Sequence, residues 1–229
     1  MASQSIRFSC STALLVLATV ALEAGGWVVI TLRDLPDQVV VGQPVTLTYS
    51  VRQHGRHLLD NLTGRIEARA GVDVVQAAAA PASEPGDYSV TLTLPYAGDW
   101  TIDILSGFSG QLNNARITLP ARDPGRPATV ISDKERGQRL FVAKGCVTCH
   151  AHGAIKGRTA SIGPELTAKR YQPEYLKHFL AHPPQAEPFE PGRWQMPDLK
   201  LRDKEITSLV AFIDAEQPPA TRVTAAITR

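Results

Sequence analysis

Sulfur is scarce in this sequence of 229 residues, which holds three cysteines and two methionines. Apart from Met1 and Cys10 at the amino terminus, that leaves Cys146, Cys149 and Met196. So few cysteines exclude a multi-bridge disulfide framework. From Ser11 to Gly145 there is neither cysteine nor methionine, so that stretch offers no soft ligand for copper. Lysine is missing before Lys134, and all seven lysines fall between Lys134 and Lys204. Basic residues upstream are arginines, a break in composition that points to two modules. A net charge of +2 gives no bulk case for nucleic-acid binding. No phosphate-binding glycine loop and no Ser/His/Asp set occurs, and no carboxylate pair has a second feature beside it. At 43% hydrophobic and 20% charged residues, the chain is otherwise that of a folded protein.

Long apolar runs are also missing. Ala13 to Leu22 is a run of ten residues, against the roughly 20 a membrane span needs. With Arg7 before it and Ala21, Ala24 and Gly25 as cleavage positions, residues 1–24 read as a signal peptide. No clean A-x-A site is present, so an uncleaved anchor, tethering the chain through residues 13–22, is the alternative. Both readings expect export, to the periplasm or the outer face of the cytoplasmic membrane.

What is present is Cys146-Val147-Thr148-Cys149-His150. Two cysteines two residues apart, followed at once by histidine, form the pattern for attachment of c-type haem. The i, i+3 spacing on a tight turn suits two thioethers to the haem vinyl groups, and the histidine that follows is placed as an axial ligand. A redox dithiol would sit in a βαβ setting, which is absent. A zinc site would need a second Cys or His pair nearby, and no cysteine follows. One covalent haem c is therefore expected, and export agrees with it.

Residues 25–119 carry period-two patterns. Trp27 to Leu32, Pro44 to Val51, Tyr88 to Leu94 and Trp100 to Leu105 read as strands. Arg65 to Arg69, Val72 to Val75 and Ala115 to Leu119 bring the number to about seven. Pro95 to Asp99 has the residues of a hairpin connection. The four-alanine run Ala77 to Ala80 is read as a loop, too short for a helix of its own. The expectation is an immunoglobulin-like β-sandwich. The Trp27 strand, Gly42-Gln43-Pro44, Val51-Arg52-Gln53-His54-Gly55, and Gly86-Asp87-Tyr88 through Gly98-Asp99-Trp100 resemble the YtkA-like and FixH-like exported sandwich domains. That resemblance raises His54 and His57 as metal ligands, against the plainer reading of exposed loop residues.

Residues 120–131, rich in proline, read as a linker. Residues 132–217 read as helical and 218–229 as a tail. Asp133 is the expected cap of a first helix that presents Gly137, Leu140 and Phe141 on one face. A second helix starts at Pro173 and carries Tyr175, Leu176, Phe179 and Leu180 as its buried face. A third runs from about Asp203 to Glu216, with Ile206, Leu209, Val210 and Ile213 at helical spacing.

With CxxCH, Gly137 and Phe141 before it, Gly163-Pro164, Met196-Pro197, and Leu209 with Phe212 after, this half resembles class I cytochromes c. The resemblance implies an all-α fold in which the first and last helices cross. It also implies that the Pro164 carbonyl accepts a hydrogen bond from His150. Met196 is the second axial ligand by elimination and by its Met-Pro setting; a gap-filling core methionine is the alternative. His178 and His182 compete, but read as surface residues, and His152 is too near His150 to cross the haem. Trp194 is expected to pack in the haem pocket. Lys144, Lys156, Lys169 and Lys177 either rim the haem edge, steering acidic partners, or merely solvate the surface.

The function expected is an exported monohaem carrier of single electrons in a respiratory chain, working with redox partner proteins. The alternative is a subunit of a membrane oxidase or reductase with the sandwich as docking domain. Oxidase subunit II has this domain order, but the thiols of its copper site are missing here. A haem enzyme or gas sensor would need an open iron position, which Met196 argues against.

Overall fold

The computed structural model describes residues 26–109, 114–156, 162–167, 170–184 and 195–215. The amino-terminal half is built of ten strands, β1 to β10. In chain order they are Val28–Leu32, Val39–Val40, Pro44–Gln53, His57–Leu58, Arg65–Ala70, Asp73–Ala78, Ala80–Pro81, Asp87–Thr93, Gly98–Leu105 and Asn114–Arg122. Seven are long, and they coincide with the seven periodic runs. One sheet has the order β1-β3-β8-β7, with β4 also on β3; the other is β2-β10-β9-β5-β6. All pairings are antiparallel except β2 with β10.

Alternation places the core. Leu47, Tyr49 and Val51 of β3 meet Val90 and Leu92 of β8 on one side, and Ile66, Ala68, Trp100, Ile102, Ile104, Ile117 and Leu119 close it from the other sheet. Each such aliphatic side chain contributes about 1.5–3 kcal/mol by leaving water. Two expectations are corrected. The alanine run is strand, divided between β6 and β7, because period-two pairing with β5 and β8 satisfies its backbone. β10 also continues through Pro120 to Arg122, since Pro120 sits on a strand whose next neighbour is the two-residue β2. The proline-rich connection therefore starts three residues later than expected.

The helical half has α1 (Asp133–Ala143), a 3-10 turn (Cys146–Thr148), α2 (Pro173–Ala181) and α3 (Asp203–Ile213). Ser132, rather than Asp133, caps α1: its hydroxyl accepts from the Glu135 amide at 3.2 Å. Asp133 is the first helical residue, where its charge favours the helix dipole. Gly145, at φ +81°, adopts the left-handed conformation that ends α1 and starts the 3-10 turn. α1 and α3 cross at Gly137. A Cβ there would overlap the Ser208 carbonyl and lie 2.7 Å from the Phe212 Cβ. Beside the crossing, the Phe141 and Phe212 rings meet edge to face at 5.5 Å.

The halves are packed together. Ala143 joins the sandwich core, and Leu35 packs against both cores. Arg136 donates to both Asp37 carboxylate oxygens, at 3.0 and 2.8 Å. Arg139 donates to the carbonyls of Asp37, Pro36 and Thr118. Lys144, only 1% exposed, pairs with Glu205 at 2.7 Å and donates to the Arg33 carbonyl at 2.7 Å. Among the described residues, no helix is long and apolar enough to cross a membrane.

Candidate functional site

A cavity of about 360 Å³ opens between the 3-10 turn, α2 and the segment before α3. It is lined by Cys146, Cys149 and His150 from the turn, Ile162, Gly163 and Pro164 from the next loop, Tyr175, Leu176, Phe179 and Leu180 from α2, and Met196 and Pro197. No carboxylate, lysine or arginine lines it among the described residues. The local fold explains how the turn presents its groups. The Cys149 amide donates to the Cys146 carbonyl at 3.1 Å and the His150 amide to the same oxygen at 2.8 Å. That tight winding aims both thiols and the imidazole into one space. The thiols are not bonded to each other. Burial pushes Cys146 up to about 12, and Cys149 up to about 11.

His150 is held in one orientation. Its Nδ1 lies 2.9 Å from the Pro164 carbonyl, so Nδ1 carries the proton and Nε2 is the free lone pair. Burial pushes the imidazole below its ordinary value, and the Pro164 bond partly opposes this. Gly163 makes the approach possible, since a Cβ there would come within 2.5 Å of the ring. The loop is pinned by the Gly163 amide donating to the Cys149 carbonyl at 2.7 Å. Met196 lines the same cavity, half-buried and packed on the helical core. A planar macrocycle suits this lining: an apolar sheath, two thiols on one wall, an oriented imidazole and a thioether.

The other expected residues fall elsewhere. Lys144 is not at a haem edge but buried at the domain boundary with Glu205. Burial pushes it below its ordinary value, and the Glu205 carboxylate opposes that shift. Lys156 faces a different cleft, shared with Val147 and Arg116. Lys177 is half-buried and paired with Glu174 at 2.8 Å, away from the cavity lining. Lys169 and Trp194 lie outside the described residues, as do residues 1–25 and the tail from 216. His178 and His182 are exposed and away from the cavity lining. His152 is 3% exposed, its ring 4.3 Å from that of Phe212. The second helix is also corrected: Leu176 and Leu180 are its buried residues, while Tyr175 is 57% exposed at the cavity. In the sandwich, His54 meets the Trp27 ring at 5.6 Å and His57 is exposed. No group of three or more His, Cys, Asp or Glu side chains placed to hold a metal ion by themselves occurs among the described residues.

Tyr171, Gln195 and Val29 also line the cavity without having been singled out from the sequence. Val29 comes from the sandwich. Its signal was the unbroken run Val28-Val29-Ile30-Thr31-Leu32, which marks a strand buried on both faces.

Residues 132–213 match the family described as cytochrome C oxidase, cbb3-type, subunit III. The helical half is a cytochrome c domain. Such a domain binds haem c and serves electron transfer, and the match covers none of the sandwich. No curated protein matches the chain. Among solved structures, one similar chain is a putative glycoside hydrolase from Bacteroides vulgatus, at 15% identity and a TM-score of 0.33, covering 40% of this chain and 17% of that one. The Lin-41 filamin domain is 12% identical with a TM-score of 0.35, covering 41% and 91% respectively. The ZirS C-terminal domain is 14% identical with a TM-score of 0.32, covering 53% and 86%.

Proposed function

We propose that this protein is an exported monohaem c-type cytochrome that passes single electrons in a respiratory chain. The observation that carries the reading is that Cys146, Cys149, His150 and Met196 line one apolar cavity. Bound there, haem supplies a one-electron couple. Cys146 and Cys149 hold it as thioethers. His150 offers Nε2 to the iron because Pro164 engages Nδ1, and a ring fixed in this way is a stronger and better-placed ligand. Met196 would offer a thioether as a further ligand to the iron, which would raise the reduction potential relative to two histidines. Leu166, Leu176, Leu180 and Ile213 line the cavity and would keep water from a bound haem, so that a charge change there would meet a low dielectric.

The sandwich is read as an immunoglobulin-like domain of the YtkA and FixH kind, and residues 1–24 as the export signal or anchor. The family matched by the helical half is named for an oxidase subunit, which favours a second reading, a subunit that stays with a membrane oxidase or reductase. Fractionation separates the two: a subunit remains with membranes and co-purifies with larger haem proteins, and a free carrier does not.

The ligand assignment is tested by absorption. The oxidised protein is expected to show the weak far-red band of methionine-bound iron. Met196→Ala is expected to abolish that band and lower the reduction potential. Wild-type protein without the band, or a variant that keeps it, overturns the assignment.

A further inference from the structure

β1 is buried along its whole length although it lies at a sheet edge and pairs with β3 alone. Val28, Ile30 and Leu32 belong to the sandwich core, while Val29 and Thr31 do not. Thr31 donates to the Lys144 carbonyl, and Val29, 2% exposed, lines the haem cavity. One face of β1 therefore serves the sandwich and the other the cytochrome domain.

The contacts of Val29 fall on both sides of the site. One methyl, Cγ1, stands 2.7 Å from where a Cβ on Gly145 would be, directly before Cys146. The other, Cγ2, stands 3.7 Å from the Cβ position of Gly55, in the turn between β3 and β4. That same Gly55 position is 3.7 Å from the Pro197 ring, directly after Met196. The turn is tightly formed: His54 and Gly55 have φ of +51° and +73°, and the His54 amide donates to the Trp27 carbonyl at 2.9 Å. Asp198, further along the methionine segment, acts electrostatically on Arg52, the partner of Val29 across the β1–β3 ladder.

We infer that Val29 and the His54–Gly55 turn form a brace by which the sandwich holds the Met196–Pro197 segment against the haem-attachment turn. Val29 is a positioning residue: it packs at Gly145 beside the attachment turn and at Gly55, which in turn faces Pro197, and it sets how often the methionine leaves the iron. The sandwich is on this view a wall of the haem site, and loosening the domain contact opens the sixth coordination position. The inference rests on Met196 being an axial ligand, as proposed above.

The test uses the full chain with haem attached and follows carbon monoxide binding to the reduced protein, which proceeds only when the methionine is off. Val29→Ala removes two methyl groups from the brace and is expected to speed binding about tenfold. Leu92→Ala, which weakens the sandwich core away from the brace, is expected to leave the rate within about twofold of wild type. Equal rates in Val29→Ala and wild type, or equal acceleration by Leu92→Ala, overturn the brace. Should Val29→Ala fail to fold, Arg139→Gln decides, because it removes hydrogen bonds between the domains and touches neither core. Faster binding then supports the brace, and an unchanged rate refutes it. The two readings fail separately. A wild-type protein lacking the far-red band removes the methionine ligand and the brace with it, whereas a band present with unresponsive rates removes the brace alone.

Discussion

The sandwich and the cytochrome domain solve the problem of burial differently. In the sandwich, two sheets meet face to face, and aromatic and β-branched residues from seven strands fill the space between them. In the helical half, the described residues form three α-helices of 11, 9 and 11 residues, and all three contribute side chains to the cavity wall. Helices this short are marginal alone and depend on tertiary packing. That packing comes from one tight crossing at Gly137 and from the sandwich, which supplies Val29 and receives Ala143. The sandwich takes nearly all of its core from its own strands, Ala143 being the helical half's addition to it, whereas the helical half borrows Val29 at its cavity. On the brace proposed above, the rigidity of this site is partly set outside the helical half.

This asymmetry can be broken at three places, in decreasing order of effect. Lys144→Met removes one of the two cations on buried Glu205, leaving Arg202 as its partner, and is expected to cost about 1.5–3 kcal/mol. The loss should appear in the helical transition by far-UV circular dichroism before the strand signal changes. A joint loss of both would show the domains to be one cooperative unit. Gly137→Ala forces α1 and α3 apart at a backbone carbonyl and is expected to cost about 1–3 kcal/mol, with the sandwich unaffected in the same melt. The smallest effect is acid loosening of the domain contact. Arg136 holds the Asp37 carboxyl below its ordinary 3.8. Burial raises Glu205, but Arg202 and Lys144 more than offset it and leave it below 4.5. Both groups therefore stabilise the folded state above the ordinary carboxylate range, and the contribution is lost as pH falls through their folded values. Helical melting temperature should decline below about pH 4.5, and Asp37→Asn should flatten that decline.

Much was readable before any coordinates. Strand positions followed from alternation, as in Val90, Leu92 and Leu94, because a half-buried sheet must alternate. The helix crossing was implied by the resemblance to class I cytochromes c that Gly137, Phe141, Leu209 and Phe212 carry, and the cysteine spacing predicted the tight turn at Cys146. What could not be read were choices between equivalent local options. Ser132 and Asp133 are both good caps, and the backbone hydrogen bond selects one. Lys144 looks like any surface lysine, because its counter-charge Glu205 lies on another helix and its carbonyl acceptor in another domain.

The sequence alone determined the chemical groups on which the proposed haem site rests, namely two thiols, an imidazole and a lone downstream methionine, since those side chains have few substitutes. It determined the two modules as well, because hydrophobic period reports on local burial. Only the tertiary structure decided that the modules share a boundary, that β1 is buried on both faces, and that Val29 stands at the haem cavity. Those are contacts between segments distant in the chain, and the shape of a packed interface is not written in the period of either partner.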